Sequence, residues 1–253
     1  MLTGLDTGYE GKFDFPRWRG PPTTPWMLAT VPRTGSTWLS HRLWATGCLG
    51  APLEYLNFEA GGPYTFANGA PSLQQELWRS LLARRTSPNG VFGVKCFPAQ
   101  LEALVAANPA LLDDVLALLL PRGGPKRIVY LVRRDRDAHA ASYARATLSG
   151  VWRKEQERDG AAPAYSADAV DTAMRWIDAQ AAAWEAMFRD LAVTPLRLCY
   201  EDSLADPGGT AGRVADYLGV ALDPAAAIAV PAVEKQTRDP RWSAHEARHA
   251  GDG

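Results

Sequence analysis

Four short, almost uniformly apolar runs punctuate the chain, and stretches of helical periodicity separate them. The runs are residues 26–31 (WMLATV), 91–97 (VFGVKCF), 127–132 (RIVYLV) and 196–200 (LRLCY). The clearest, 127–132, is β-branched, aromatic and continuously apolar after its first residue, and runs of this length and character read as strands buried on both faces. Helices are expected over 37–46, where Leu39 and Leu43 share a face and Gly47 is the stop, then over 72–86, 98–107, 109–120, 137–149, 167–191 and 210–218. Strands alternating with helices predict an α/β fold of three layers, a mostly parallel central sheet flanked by helices.

The punctuation also sets the domain boundaries. Residues 1–25 are polar and rich in Gly and Pro and read as an irregular arm; 26–242 form a single domain; 243–253 are a flexible tail. Within the domain, 50–71 form a long loop and 151–166 a mobile connection. Lys and Arg number 27 against 28 Asp and Glu, so no basic excess favours nucleic acid as a partner, and no aromatic-interleaved basic stripe is present. Cys48, Cys96 and Cys199 are scattered and odd in number, unlike a disulfide framework or a zinc site, and fit free thiols in a reducing compartment. The first residues lack the basic start and apolar run of a signal peptide, and no apolar window is long enough to span a bilayer. A cytoplasmic protein without an integral membrane segment is expected.

Chemistry concentrates in Thr30-Val31-Pro32-Arg33-Thr34-Gly35-Ser36-Thr37-Trp38-Leu39, between an expected strand and an expected helix. In a parallel sheet that junction turns backbone N–H groups and a helix N-terminus toward an anion. Gly35 permits close backbone approach, Ser36 and Thr37 supply hydroxyls that bind a ligand or cap the helix, and Arg33 supplies a planar fork of donors. The loop is P-loop-like, yet it lacks the first Gly and the Lys of G-x-x-x-x-G-K-[ST]. Without them it suits an anion other than a nucleoside triphosphate; the plain alternative is a capped helix after a turn. A second basic cluster, Arg133-Arg134-Asp135-Arg136, follows the expected strand 127–132, and Ser142 lies eight residues after Arg134. Such a pair can pinch a phosphate, or be a solvated turn that caps a helix; Arg133 is the alternative to Arg134 by a shift of one residue.

These residues carry a resemblance. The loop resembles the 5′-phosphosulfate loop of sulfotransferases that use 3′-phosphoadenosine-5′-phosphosulfate (PAPS). With Thr46-Gly47-Cys48-Leu49-Gly50-Ala51-Pro52-Leu53-Glu54-Tyr55 following, the chain is similar to the trehalose 2-sulfotransferase family from about Trp26 to Trp242. The resemblance implies a PAPS donor that leaves as 3′,5′-ADP, no metal, and a hydroxyl acceptor that is carbohydrate-like or a glycolipid. It implies a donor site of Arg33, Thr34, Gly35, Ser36, Thr37 and Trp38, with Arg33 also the catalytic cation beside the bridging oxygen, and Arg134 and Ser142 on the 3′-phosphate. Gln236, Arg238 and Trp242 become nucleotide contacts in a late polar loop, against the alternative of a solvated tail. Together with the long loop it implies a homodimer that completes the acceptor site.

A carboxylate near the acceptor is the expected general base. Glu54 matches the family's catalytic Glu, with Glu59 as the fallback; no His occurs between His41 and His139 to take that role. Lys95 ends the second expected strand, where it either enters the site or lies on a surface turn. Leu56, where an aromatic commonly follows Glu-Tyr, and the insert 151–166 depart from the family pattern on the acceptor side. The competing readings are a divergent P-loop kinase acting on a small molecule and a non-catalytic nucleotide-binding module.

Overall fold

The computed structural model describes residues 6–157 and 163–234, together with Gln236 and Trp242. Strands β1 Thr24–Ala29, β2 Val91–Cys96, β3 Ile128–Val132 and β4 Leu196–Cys199 form one sheet in the order β2-β1-β3-β4, with every neighbouring pair parallel. The α-helices among the described residues are α1 Ser36–Trp44, α2 Pro71–Arg85, α3 Pro98–Ala107, α4 Pro109–Leu119, α5 Arg136–Ser149, α6 Ala167–Asp190, α7 Tyr200–Ala205 and α8 Pro207–Leu218. Successive strand residues point to opposite faces, and here both faces are apolar. Trp26, Leu28, Val129, Leu131 and Leu198 pack against Leu39 and Leu43 of α1 and Val214 and Leu218 of α8. Met27, Ala29, Phe92, Val94, Ile128 and Tyr130 pack on the other side with Trp78, Leu101, Val115, Ala140 and Trp184 from α2 through α6. The three expected layers are therefore present, and the sheet is wholly parallel.

The differences from expectation lie at element ends and in one additional short helix. β1 runs from Thr24 to Ala29, two residues earlier than 26–31, and Thr30 and Val31 lead into the turn at Pro32 and Arg33. Pro25 is tolerated because β1 there pairs with β2 alone; β3 joins from Met27 onward. The short helix α7 was not expected from the sequence. α8 starts at Pro207, where the Asp206 side chain accepts the Gly209 N–H at 2.8 Å.

The order β2-β1-β3 makes the carboxyl ends of β1 and β3 the point where connections diverge to opposite sides, and parallel sheets open a crevice there. The loop 50–71 covers the outer edge of β2: Leu53 bridges Val94 in parallel, and the Lys95 N–H donates to the Leu53 carbonyl at 3.0 Å. That one bridge fixes Glu54, the next residue, beside β2.

The N-terminal segment is irregular apart from a 3-10 turn at Gly11–Phe13, and a buried cation is one of its anchors to the domain, beside the Phe15 and Trp18 N–H groups on the Arg84 and Ala83 carbonyls. Arg85, at the end of α2, donates to the carbonyls of Gly8 at 2.9 Å, Glu10 at 3.3 Å and Phe13 at 3.4 Å, and its Nε lies 3.0 Å from Asp14. Phe15 enters the core just beyond. Removing one partner of a buried ion pair leaves the other uncompensated, typically about 3–5 kcal/mol. Arg85→Met should therefore lower the urea midpoint by an equivalent of about 3 kcal/mol or more and expose the segment to limited proteolysis. Asp14→Asn should have a smaller effect, because the three carbonyls keep their donor; an Arg85→Met protein as stable as the parent would show that the segment is held by Phe15 and the backbone hydrogen bonds to Ala83 and Arg84 instead.

Candidate active site

The loop after β1 is shaped by two left-handed residues, Arg33 at φ 69° and Gly35 at φ 94°. Alternating backbone of this kind gathers successive N–H groups into an anion-binding concavity. Gly35 is needed twice over, for its dihedral and because a Cβ there would lie 2.2 Å from the Tyr200 ring. It also occupies the N-cap position of α1, and no side chain caps that helix, so its first turn opens toward the cleft rather than being closed by Ser36 or Thr37. The loop is braced from behind. Trp184 Nε1 donates to the Thr30 carbonyl at 2.8 Å, and His139 Nε2 lies 2.7 Å from the Pro32 carbonyl. Burial holds the His139 pKa down to about 4, so the ring is neutral and, facing a carbonyl, carries its proton on Nε2.

A cleft of about 510 Å³ opens over this loop, lined by Arg33, Gly35, Ser36, Thr37 and Trp38 from the loop and α1, and by Arg133, Ser142 and Arg145 from the β3–α5 side. Thr34 does not line it: its buried hydroxyl donates to the Val31 carbonyl within the turn, which leaves only its backbone for a ligand. Arg33 reaches across the cleft. Its Nε donates to Ser142 Oγ at 3.1 Å, and its terminal nitrogens donate to the Trp152 carbonyl and to Gln236 Oε1. Burial, followed by repulsion from Arg145 and Arg133, pushes the Arg33 pKa down to about 10. Three guanidinium groups that raise one another's energy around a hydroxyl-lined cleft are the electrostatics of an anion site.

The two candidate arginines after β3 separate cleanly. Arg134 lies outside the cleft, with a side chain 65% exposed and held by both Asp202 oxygens at 2.8 Å. Arg133 lines the cleft, 19% exposed, with its guanidinium over the Tyr200 ring and 3.4 Å from the Arg33 carbonyl. The cause is α7. Glu201 accepts the N–H groups of Arg134 at 3.0 Å and Asp135 at 3.2 Å, and Asp202 draws the Arg134 side chain outward. Burial would raise the Glu201 pKa, but the hydrogen bonds from Cys199, Arg134 and Asp135 outweigh it and bring it to about 2. Ser142 thus faces Arg133 and Arg33, not Arg134. Arg145, three residues along α5 from Ser142, shares that helix face, and this spacing was the signal that could have found it. Trp152, Arg153 and Tyr200 join the cleft with no local signature in the sequence.

Of the late polar loop, Gln236 is in the cleft, donating to the Val151 carbonyl at 3.0 Å and accepting from Arg33 and Arg145. Trp242 also lines it, buried against Tyr165. Arg238 lies outside the described residues, as do the tail 243–253 and the part of the connection at 158–162. The other part of that connection contributes Trp152 and Arg153 to the cleft wall.

Glu54 does not line this cleft but is linked to it through Lys95 and Thr37, and its side chain keeps 16% exposure. Its Oε1 is 2.8 Å from Lys95 Nζ, and its Oε2 accepts from Asn57 at 3.1 Å and Gln100 at 3.5 Å. Burial would raise its pKa, but Lys95 and Asn57 outweigh burial and set it below the usual carboxylate range. Lys95 is fully buried, which excludes a surface turn, and its Nζ also donates to Thr37 Oγ1 at 3.0 Å. Glu59 is exposed and outside the cleft. Among the described residues no group of three or more His, Cys, Asp or Glu side chains could hold a metal ion, and no helix is long and apolar enough to cross a membrane.

Comparison with known proteins gives this geometry a family. Trehalose 2-sulfotransferase of Mycobacterium tuberculosis is 29% identical over 252 residues, 86% of this chain and 92% of that protein. The Mycolicibacterium smegmatis enzyme of the same name is 28% identical over 251 residues, 87% of this chain and 92% of its own. Among solved structures, the sulfotransferase domain of the Synechococcus PCC 7002 olefin synthase aligns with 94% of this chain and 99% of its own, at 16% identity and a TM-score of 0.44. A family model described as Stf0 sulphotransferase matches residues 25–245, which takes in the loop, Glu54, both sides of the cleft and Gln236. That match favours sulfuryl transfer over the kinase reading, and on it the chain belongs to the Stf0 sulphotransferase family and is a sulfotransferase.

Proposed function

We propose that this sulfotransferase moves the sulfuryl group of PAPS to a hydroxyl of a small, sugar-containing acceptor. The observation that carries the donor assignment is the pairing of two anion sites in one cleft. The first is the left-handed turn Arg33–Gly35 with the open end of α1 and the hydroxyls of Ser36 and Thr37. The second is Arg133, Ser142 and Arg145 on the β3–α5 side. Arg33 joins them through Ser142. A nucleotide with anionic groups at both its 5′ and 3′ positions fits two such sites; a simple nucleoside monophosphate fills one. The sugar-containing acceptor is carried over from the two mycobacterial relatives, whose names specify trehalose.

In the reaction the acceptor oxygen forms a bond to sulfur while the bond from sulfur to the bridging phosphate oxygen breaks, and 3′,5′-ADP leaves with that electron pair. Arg33 stands in the cleft to take up charge developing on the bridging oxygen. The acceptor proton goes to Glu54, which is ionised at neutral pH because its pKa lies below the ordinary range. Donor charge is held by backbone N–H groups, hydroxyls and guanidinium groups already in place, in the way phosphoryl groups are stabilised.

Titration calorimetry tests the donor site. 3′,5′-ADP should bind far more tightly than 5′-AMP, and Arg133→Ala should weaken 3′,5′-ADP by about 10–100-fold, the usual worth of a charged hydrogen bond. Arg134→Ala should leave it unchanged. Equal affinity for the two nucleotides would remove the second anion site from the assignment.

The base is tested with PAPS and trehalose as the acceptor probe. Glu54→Gln should lower kcat by about 10²–10⁴-fold while 3′,5′-ADP affinity stays within about twofold. A rise in KM with unchanged kcat would instead make Glu54 an acceptor-orienting group. Glu59→Gln is the control from the same loop, and a kcat loss there with Glu54→Gln unaffected would transfer the role.

A further inference from the structure

Lys95 is the most deeply buried cation of the site, its side chain 1% exposed, and it is held by two groups that belong to different halves of the chemistry. One is Glu54 Oε1 at 2.8 Å; the other is Thr37 Oγ1 at 3.0 Å, on the first turn of α1 in the donor loop. Burial lowers the Lys95 pKa and the Glu54 carboxylate in contact with it raises it; as an ammonium ion beside that carboxylate the group has three donors and no acceptor. Thr37 Oγ1 must therefore accept from Lys95, and its own proton has to leave in another direction. Among the described residues Thr37 Oγ1 has this one hydrogen-bond partner, and Thr37 lines the cleft.

We propose that Lys95 is the positioning residue that ties the donor loop to the base, holding the Glu54 carboxylate and forcing the Thr37 hydroxyl to send its proton into the cleft. The inference rests on the reading of Glu54 as the base. Its physical content is that one buried charge performs two alignments. It keeps Glu54 ionised and aimed, and it converts Thr37 from a freely rotating hydroxyl into a donor toward the anion.

The surroundings of Glu54 single out Lys95 for this. From β2 come Lys95 and Cys96, from the segment after α5 comes Arg153, and from the N-terminal segment comes Tyr9, whose hydroxyl accepts the Glu54 N–H at 3.1 Å. Asn57 and Gln100 are neutral donors. Burial pushes the Cys96 thiol and the Tyr9 phenol up, so both stay neutral at working pH. Arg153 donates to the Thr7 carbonyl at 3.2 Å and sits over the Tyr9 ring, which leaves Lys95 as the cation in direct contact with the carboxylate.

The test uses the full chain and one readout that needs no turnover. NMR of protein labelled at the glutamate carboxyl carbons, with Glu54→Gln assigning the signal, should show the Glu54 midpoint about one unit or more higher in Lys95→Met than in the parent. Thr37→Val should leave that midpoint in place and weaken 3′,5′-ADP about tenfold. With PAPS and trehalose, the acid limb of kcat/KM in Lys95→Met should move to higher pH by the shift seen in the NMR titration. An unmoved Glu54 midpoint, or an acid limb that stays put while the midpoint moves, would overturn the proposal. Loss of turnover on trehalose in the parent, with the midpoint shift and the Thr37→Val effect intact, would instead fault the acceptor reading. Should Lys95→Met alone not fold, Lys95→Met/Glu54→Gln replaces the ion pair by a neutral one. Its 3′,5′-ADP affinity should be about tenfold below that of Glu54→Gln, and equality of the two would overturn the Thr37 half.

Discussion

The turn that ends β1 is the constraint around which the rest of the molecule is arranged. Left-handed backbone at a non-glycine residue is unfavourable, and Arg33 adopts it. It persists because the turn is held on every side: Trp184 on the Thr30 carbonyl, His139 on the Pro32 carbonyl, the Thr34 hydroxyl on the Val31 carbonyl, and the Tyr200 ring against Gly35. Those braces come from α6, α5, the turn itself and α7. The helices behind the sheet therefore do more than bury apolar surface. They keep a loop of backbone donors open toward solvent that the local sequence alone would not hold.

The second theme is the placement of cations. Arg33, Arg133 and Arg145 crowd one cleft, where burial and mutual repulsion make a bound anion the natural compensation. Lys95 and Arg85 are buried on internal partners: a carboxylate and a hydroxyl for Lys95, three carbonyls and Asp14 for Arg85. A buried charge with internal partners fixes geometry, while one facing a cleft beside like charges is poised for a ligand.

Much of this could be read in advance. The four apolar runs became four parallel strands because buried parallel strands are apolar on both faces, and that pattern is local. The cleft-lining loop was legible because Arg33, Gly35, Ser36 and Thr37 fall between strand and helix in consecutive sequence. Glu54 entered through its motif and Ser142 through its distance from the basic cluster. The choice between Arg133 and Arg134 was not legible. Adjacent residues leaving a strand point in opposite directions, and which one faces the cleft depends on Glu201 and Asp202 of a helix more than sixty residues away. Thr34 offers a ligand only its backbone for a related reason, since a hydroxyl in the right loop can be consumed by the turn itself.

By itself, then, the sequence determined the alternation of strands and helices, the position of the loop between β1 and α1 and the family, because periodicity and contiguous motifs survive without knowledge of distant contacts. The tertiary structure decided which arginine faces the cleft, that Gln236 and Trp152 take up the Arg33 side chain, and that Lys95 joins Thr37 to Glu54. Each of these is a contact between residues far apart in the chain. Its direction is set by the packing of whole elements, and no window of sequence contains that information.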